Sequence, residues 1–339
     1  MELFIIRDYK NYFGSKSFAS PYRSGFNIDK IVSLFKDYGF NCRLINFYDI
    51  DFTSEWNGKI VLYTSSEENN YFYKSYIEDV VFSLESIGAI CIPKFYFLKA
   101  NNNKVFMEMF LQFRFKMHKD TRFSGCFEET KKIVHNSQID FPFILKESAG
   151  AKSRGVYLVK NQKELLSVAK NIQRYFNPLI FLKNLIRSLK HPNFLKESQY
   201  PKKIVFQPFI KNLEFDWKIL VYSNKYFVLK RGIRKGDFRA SGSGFNYKTG
   251  SNSQIPIQVL DFAKDFFQKL KVPNLSLDIA FDGISVHIIE FQCVYFGTSV
   301  INMSKDLFLY EDSSWKIVKN VFDEEELYVN SVYEFIKGL

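Results

Sequence analysis

Residues 1–98 alternate between short apolar runs and segments with helical periodicity. Apolar positions in Asn27–Tyr38 recur three and four residues apart, and Gly39 follows as a helix-ending residue. A second helical pattern covers Tyr73–Leu84 and ends before Gly88. The apolar runs that indicate strands are MELFIIR, CRLINFY, KIVLYTSS and AICIP. Strands that alternate with helices predict an α/β arrangement with a mostly parallel sheet.

The rest of the chain also contains helical patterns and apolar strands. Helical periodicity occurs in Asn103–Phe115, Pro256–Leu270 and Glu324–Lys337, and apolar strands in IVFQPFI, FDWKILVY and the segment that begins KYFVLKRG. We therefore expect three domains, formed by residues 1–98, 99–205 and 206–339.

A loop of small and basic residues, Ser148–Gly155, joins two predicted strands, Phe141–Lys146 and Gly155–Lys160. Backbone N–H groups in such a loop can approach phosphate oxygens closely, and Lys146 offers a positive charge beside them. Loops of this composition are also common as plain flexible turns. The spacing differs from that of a P-loop and of a dinucleotide-binding loop, so the loop alone leaves both interpretations open.

The stretch from Asp278 to Gln292 combines two apolar runs with three side chains that can bind a metal ion. An Asp-Gly turn separates the runs, so we expect a hairpin that brings Asp278 near Glu290 and Gln292. Glu290 and Gln292 are two residues apart and leave the same face of a strand. Two carboxylates and an amide oxygen favour magnesium over zinc, commonly next to a nucleotide phosphate. A single acid at a hairpin end is more often a solvated edge residue.

The composition is that of a globular protein with a basic balance. The chain has 339 residues, 46% of them hydrophobic, and is rich in Phe (38) and Tyr (20). Lys and Arg exceed Asp and Glu by 47 − 36 = 11, which suits anionic partners such as ATP, an acidic substrate or a membrane surface. No nucleic-acid-reading motif occurs, so we expect no nucleic acid partner.

The cysteines and the N-terminus favour a cytoplasmic protein. The widely spaced Cys42, Cys91, Cys126 and Cys293 lie in or near apolar stretches, which predicts reduced and buried thiols. The first residues lack the apolar core of a secretory signal, and no apolar run is long enough to span a membrane.

Four elements follow one another along residues 100–305. They are Lys146 with its small-residue loop, Gln207–Ile210 (QPFI) with Asp216, Lys230-Arg231 before Gly236–Arg239 (GDFR), and Asp278 before Glu290-Phe291-Gln292. Their order resembles the ATP-grasp superfamily, and within it the ribosomal-protein glutamate ligase and the glutathione synthetase-like carboxylate–amine ligases. The resemblance implies an ATP-grasp fold in which residues 1–98 form a pre-ATP-grasp domain.

The resemblance also implies roles for the matching residues. ATP contacts are implied for Lys104, Lys146, Ser148, Gly150, Gln207, Pro208, Phe209, Ile210, Asp216, Lys218, Lys230 and Ser241. Magnesium or manganese binding is implied for Asp278, Glu290 and Gln292, and catalytic roles for Arg231 and Arg239.

This sequence departs from the family pattern at several positions. Pro208 stands where the family often has Glu, Lys218 where it has Arg, and Ser241 where it has Asn. Gln292 replaces an Asn ligand and is longer by one methylene. CVYFGTS then stands where the family has an Asn-x-x-Pro-Gly pattern. Because the residues nearest the acceptor differ most, neither glutamate nor a ribosomal protein follows as the substrate.

The activity implied is that of an ATP-dependent carboxylate–amine ligase. A carboxylate would attack the γ-phosphorus of ATP to form an acylphosphate, and an amine would then attack the acyl carbon and release phosphate. Lys, Arg and magnesium would neutralise the transferring group. We expect Arg239 to steady the acylphosphate and Arg231 to help hold the carboxylate, with a solvated basic loop as the plain alternative.

Other activities and partners stay open. The acceptor could be a cell-surface glycan precursor, a small molecule or a peptide. A kinase that phosphorylates a hydroxyl, or a nucleotide-binding scaffold without turnover, would share many of these residues. The resemblance also suggests a homodimer.

Residues 170–203 form a basic segment with eight Lys and Arg against one acid, Glu197. Within 178–190, one predicted helix face carries Leu182, Leu185, Ile186 and Leu189, and Lys183, Arg187 and Lys190 lie off it. Such a helix can bind an anionic membrane or a bulky anionic acceptor. Packing of the apolar stripe on its own domain is the plainer expectation.

Overall fold

The structure is a computed structural model that describes residues 1–14, 25–66, 68–150, 155–211, 213–239 and 244–339. The chain divides into two compact units. The first unit combines Met1–Asn101 with Leu213–Leu339, and the second is Asn102–Asn212. The division into three domains remains a prediction. The first unit contains two separate sheets, one in each of its two chain segments.

The N-terminal part of the first unit is a parallel sheet with helices. Its elements are β1 (Glu2–Arg7), α1 (Ile28–Asp37), β2 (Asn41–Asn46), β3 (Ile60–Leu62), α2 (Phe72–Ser86), β4 (Ile90–Ile92) and α3 (Phe95–Ala100). The strands run parallel in the order β2-β1-β3-β4, as the alternating pattern predicted.

Both faces of this sheet are apolar because helices cover both. Leu3 and Ile5 of β1 point to a core that includes α1, and Phe4 and Ile6 point to the opposite core, which includes α2. Helix α1 begins where the Asn27 side chain accepts a hydrogen bond from the Lys30 N–H.

The second unit is built on an antiparallel sheet. Its elements are α4 (Lys104–Phe115), β5 (Arg122–Ser124), α5 (Phe127–Asn136), β6 (Phe143–Glu147), β7 (Val156–Val159), α6 (Gln162–Gln173), α7 (Pro178–Lys190) and β8 (Ile204–Pro208). The strand order is β5-β8-β6-β7. Leu145, Phe206 and Val159 pack on one face with α5 and α6, so the side chains of Lys146 and Gln207 leave the other face.

The C-terminal part of the first unit contains the largest sheet. Its elements are β9 (Phe215–Tyr222), β10 (Lys225–Gly232), β11 (Lys248–Thr249), α8 (Ile257–Leu270), β12 (Asn274–Phe281), β13 (Val286–Gln292), α9 (Ser299–Met303), β14 (Asp306–Glu311), β15 (Ser314–Lys319) and α10 (Glu324–Lys337). The order is β13-β12-β9-β10-β14-β15, and β11 pairs with β10. The predicted hairpin from Asp278 to Gln292 is therefore present as β12 and β13.

Helix α10 packs on both sheets of the first unit. Its residues Val329, Val332 and Ile336 lie in the core that contains Leu3 and Ile5. Its Leu327 lies in the core of the seven-stranded sheet, beside β9 and β10.

The structure places the four cysteines and shows how long and how polar its helices are. All four cysteines are unpaired; Cys91 and Cys293 are buried, and Cys42 and Cys126 are half-buried. In the described ranges, every helix is too short or too polar to cross a bilayer.

Candidate functional site

One face of the seven-stranded sheet collects most of the predicted polar residues of the first unit. Asp216 on β9 is paired with Arg231 on β10, and Lys218 on β9 is paired with Asp278 on β12. Asp278 is in turn opposite Glu290 on β13. Paired residues in a sheet share a face, so these side chains project to the same side. The same face is apolar farther along, where Leu220 and Phe227 pack in the core, so the polar cluster begins where the core ends.

Arg231 lies between two carboxylates. Its Nε and Nη2 atoms donate to Asp216 Oδ1 at 2.6 Å and to Oδ2 at 2.9 Å. Nη2 also lies 2.9 Å from Asp278 Oδ2. Arg231 is 5% exposed and Asp216 is 2% exposed, so water cannot replace these partners. The guanidinium therefore fixes the two carboxylates, and direct contact of Arg231 with a substrate carboxylate remains a prediction.

The charges in this cluster shift one another. Burial raises the pKa of Asp216 to about 6, although Arg231 acts in the opposite direction. Burial also acts to raise the pKa of Asp278, but the cations Arg231 and Lys218 outweigh it and hold that pKa below its usual range. Burial acts to lower the pKa of Arg231, and the two carboxylates, Asp278 first, more than reverse this. Asp278 and Arg231 are thus charged at neutral pH, and Asp216 is the carboxylate that takes a proton first.

Lys218 lies between Ser276 and Asp278 on the same face of the sheet. Its Nζ donates to Ser276 Oγ at 2.7 Å and lies 3.6 Å from Asp278 Oδ1, which is too long for a hydrogen bond. The sequence analysis missed Ser276, which is buried two residues before Asp278. The period of two along a strand was the signal that could have found it.

The oxygen atoms on β12 and β13 fit a hard cation. Asp278 Oδ1 is buried and has no hydrogen-bond partner among the residues that the structure describes, and Glu290 is directly opposite Asp278 on β13. The Gln292 side-chain amide donates to Glu290 Oε1 at 3.3 Å, which leaves the amide oxygen of Gln292 on the same face. Among the described residues, no three His, Cys, Asp or Glu side chains form a metal-binding group. The candidate set is therefore two carboxylates and one amide, a set that suits magnesium and not zinc.

Two predicted residues of the first unit, Arg239 and Lys230, lie apart from this cluster. Arg239 is exposed and binds its neighbour Asp237 through Nε at 2.9 Å and Nη2 at 3.2 Å; this hydrogen bonding is the main reason that the pKa of Asp237 is lowered. Lys230 leaves the opposite face of the sheet and lies 3.6 Å above the ring of Phe215. Ser241 lies outside the described residues.

In the second unit, the start of α4 is joined to the first residues of the predicted phosphate loop. The Lys104 N–H donates to the Ser148 carbonyl at 2.7 Å, and Lys104 Nζ donates to the Gly150 carbonyl at 2.6 Å. Asn103 caps the helix and accepts a hydrogen bond from Ser148 Oγ at 3.1 Å. The remainder of the loop, residues 151–154, lies outside the described residues. The loop and the positive end of a helix therefore meet at one place.

The other predicted nucleotide residues of this unit lie on β6, β8 and the chain that follows. Lys146 and Gln207 leave the sheet face opposite α5 and α6. Gln207 is buried, and its amide lies 3.5 Å from Thr121 Oγ1. Pro208 is exposed at the end of β8, and Phe209 and Ile210 after it are half-buried.

Comparison with known proteins decides the fold. No protein-family model and no curated protein sequence matches the chain. The solved structure of the D-cycloserine synthetase DcsG is similar over 98% of this chain and 99% of that one, with a TM-score of 0.55 and 10% identity. A RiPP-associated ATP-grasp ligase from Chryseobacterium gregarium is similar over 99% of this chain and 96% of that one, with a TM-score of 0.50 and 13% identity.

The chain has the ATP-grasp fold. The resemblance seen in the sequence is thereby confirmed at the level of the fold. In this ATP-grasp chain the polar face of β9, β10, β12 and β13 and the junction of α4 with its loop are the two places where predicted site residues come together. The roles of the individual residues stay predictions.

Proposed function

We propose that this ATP-grasp chain is an ATP-dependent carboxylate–amine ligase that forms an amide bond through an acylphosphate and releases ADP and phosphate. The observation that carries the proposal is the buried charge cluster of Arg231, Asp216 and Asp278, with Glu290 directly opposite Asp278. Two buried acids held by one cation are costly for a purely structural sheet. They suit a site that must bind a metal–phosphate group.

The residues of the first unit would hold magnesium and the transferring phosphate. Asp278, Glu290 and Gln292 supply the oxygen ligands, and bound magnesium would neutralise charge on the phosphate oxygens. Arg231 keeps Asp278 ionised and in place, because its guanidinium binds Asp278 Oδ2. Arg239 is exposed, and its side-chain contacts within the described residues are with its neighbours Asp237 and Phe238, so it can turn toward the acylphosphate at little cost.

The residues of the second unit would bind the nucleotide. Lys146 and the α4–loop junction, with Lys104, offer positive charge and helix N–H groups to phosphate oxygens. Backbone and apolar contacts of Gln207–Ile210 would hold the adenine. For the acceptor we propose an amine on a peptide or small molecule; the C. gregarium ligase is in complex with ADP and a leader and core peptide.

The test is release of ADP and phosphate from MgATP with pooled carboxylates, in the presence and absence of hydroxylamine. An acylphosphate is trapped by hydroxylamine as a hydroxamate, so a ligase should give carboxylate-dependent ADP together with hydroxamate. Glu290→Gln should abolish both. Asp282→Asn is the matched control, because Asp282 lies in the turn of the same hairpin. Within the described residues, its side chain hydrogen-bonds only to backbone N–H groups and to His287.

Two results would contradict the proposal. ADP formed only with hydroxyl acceptors, with a phosphorylated product and no free phosphate, would identify a kinase. Binding of ATP without turnover of any pooled substrate, unchanged by Glu290→Gln, would favour a nucleotide-binding scaffold.

A further inference from the structure

Helix α7 is well formed but hardly buried. The Asn177 side chain accepts hydrogen bonds from the Leu179 and Ile180 N–H groups, and Pro178 occupies the first turn, where its missing N–H costs nothing. All residues of this helix are described, and Asn184 is its one buried residue. The helix therefore contacts the rest of the protein through a narrow side that contains Asn184.

The apolar stripe of α7 faces solvent. Leu182, Leu185, Ile186 and Leu189 are 53%, 42%, 44% and 79% exposed. Tyr175 and Phe176, just before the helix, are also more than half exposed. The expectation that the stripe packs on its own domain is therefore wrong. Single exposed apolar residues are ordinary, but a continuous stripe of this kind indicates an interaction surface.

Positive charge borders this stripe along one side. At 100° per residue, Lys183, Arg187 and Lys190 lie between the stripe and the far side of the helix. The surrounding segment, residues 170–203, has eight Lys and Arg and one acid. The partner must therefore be apolar at its centre and anionic beside it.

We propose that α7 binds the surface of a membrane that contains anionic lipids, with Leu185 and Leu189 among the acyl chains and the three cations at the headgroups. The stripe is convex and open along about 18 Å of helix, which suits a lipid surface. Long Lys and Arg side chains can extend from such a helix to the headgroup level. A second copy of the helix is a poor partner, because it would bring like charges together.

The test is sedimentation of the full chain, without ATP, with vesicles of phosphatidylglycerol or of phosphatidylcholine at low salt. Binding should occur with phosphatidylglycerol and should weaken as salt is added. The double variant Leu185→Ser/Leu189→Ser should bind about a hundredfold more weakly because it loses apolar burial. Lys183→Gln/Arg187→Gln/Lys190→Gln should also lose about a hundredfold because it loses attraction to the headgroups.

Ile284→Ser is the matched control, because Ile284 is 90% exposed but lies in the β12–β13 turn; this variant should bind as the unmodified chain does. Since all substituted residues are exposed or border an exposed stripe, thermal unfolding should be unchanged in each variant. Equal binding to both lipids, absence of binding at low salt, or binding unaffected by the α7 variants would overturn the proposal. A dimer that forms without lipid and is lost in the Leu variant, with no vesicle binding, would instead assign the stripe to contact between copies.

Because no nucleotide is present in this assay, its outcome does not depend on the proposed ligase activity.

Discussion

Arg231 and Arg239 are both paired with aspartates, but their surroundings give the two pairs different energetic weight. The guanidinium of Arg231 is buried and shared by Asp216 and Asp278. The pair of Arg239 with Asp237 is exposed, where water and salt screen it.

We expect Arg231→Ala to lower the free energy of unfolding by about 3–5 kcal/mol, because it leaves two buried carboxylates without their cation. Arg239→Ala should change the free energy of unfolding by less than about 1 kcal/mol. If Arg239 steadies the acylphosphate, the same variant should lose turnover while its stability is kept. Urea unfolding followed by circular dichroism, together with ADP release, measures both quantities. A stable Arg231→Ala protein would show that the two acids do not depend on this cation.

The raised pKa of Asp216 makes stability depend on pH. An unfolded Asp titrates at about 3.9, whereas burial raises the pKa of Asp216 to about 6 in the folded protein. Between these values the folded protein keeps a proton that the unfolded chain has released. The contribution of Asp216 to the free energy of unfolding therefore decreases as the pH rises from about 4 to about 6, and is constant above that.

Asn cannot titrate, so Asp216→Asn provides the comparison. We expect the stability of the unmodified protein relative to Asp216→Asn to decrease over this pH range, as measured by urea unfolding at several pH values. A relative stability that instead increased with pH would show that Arg231 keeps Asp216 ionised throughout.

At the level of elements, the end of the predicted phosphate loop depends on a glycine with left-handed backbone. Gly155 has φ of +70°, and an added Cβ would lie 2.8–2.9 Å from the side chain of Glu147 on β6. Gly58 has nearly the same conformation, φ +73°, and no atom of the described part of the chain lies within 4 Å of the added Cβ. Gly58→Ala should therefore lower the free energy of unfolding by about 1–2 kcal/mol, through the strain of its backbone alone.

Gly155→Ala should lower the free energy of unfolding by at least about 1 kcal/mol more than Gly58→Ala does, because the Glu147 side chain must also move. Thermal unfolding of the two variants gives the difference directly. Equal destabilisation would mean that Glu147 moves away without cost.

The sequence pattern predicted the individual helices and strands better than it predicted which strands lie next to one another. An Asp-Gly turn between two apolar runs identified the hairpin, and the period of two placed Glu290 and Gln292 on one face. By the same alternation, Lys230 and Arg231 leave opposite faces of β10, although they are adjacent in sequence. That β9 lies between β10 and β12, which lets Arg231 reach Asp278, is a matter of strand order that local pattern cannot supply.

Helices show the same limit. The bounds of α4 and α10 agree to within one residue with the ranges that apolar spacing predicted. For α7, the apolar spacing predicted the helix but not whether its stripe would be covered, because a buried and an exposed amphipathic helix share one pattern. Burial depends on what packs nearby, which is set by the fold.

For the molecule as a whole, α10 determines how the two sheets of the first unit respond to a common perturbation. Val332 is fully buried in the core of the N-terminal sheet, and Leu327 is 2% exposed in the core of the seven-stranded sheet. One rigid helix thus connects two cores formed by chain segments that are more than 100 residues apart. We expect the two sheets to unfold together, and the second unit, with its own core, to respond separately.

Hydrogen exchange of Leu327→Ala tests this coupling. Loss of a buried Leu should cost about 2–5 kcal/mol, and protection should fall in β1 and β3 as well as in β9 and β12, although Leu327 lies in the core of the larger sheet alone. Leu165→Ala is the control, since Leu165 is fully buried in the core of the second unit; its effect should be confined to β5–β8. Reduced protection in β9 and β12 with unchanged protection in β1 would show that α10 does not couple the sheets, and that the N-terminal sheet is an independent folding unit.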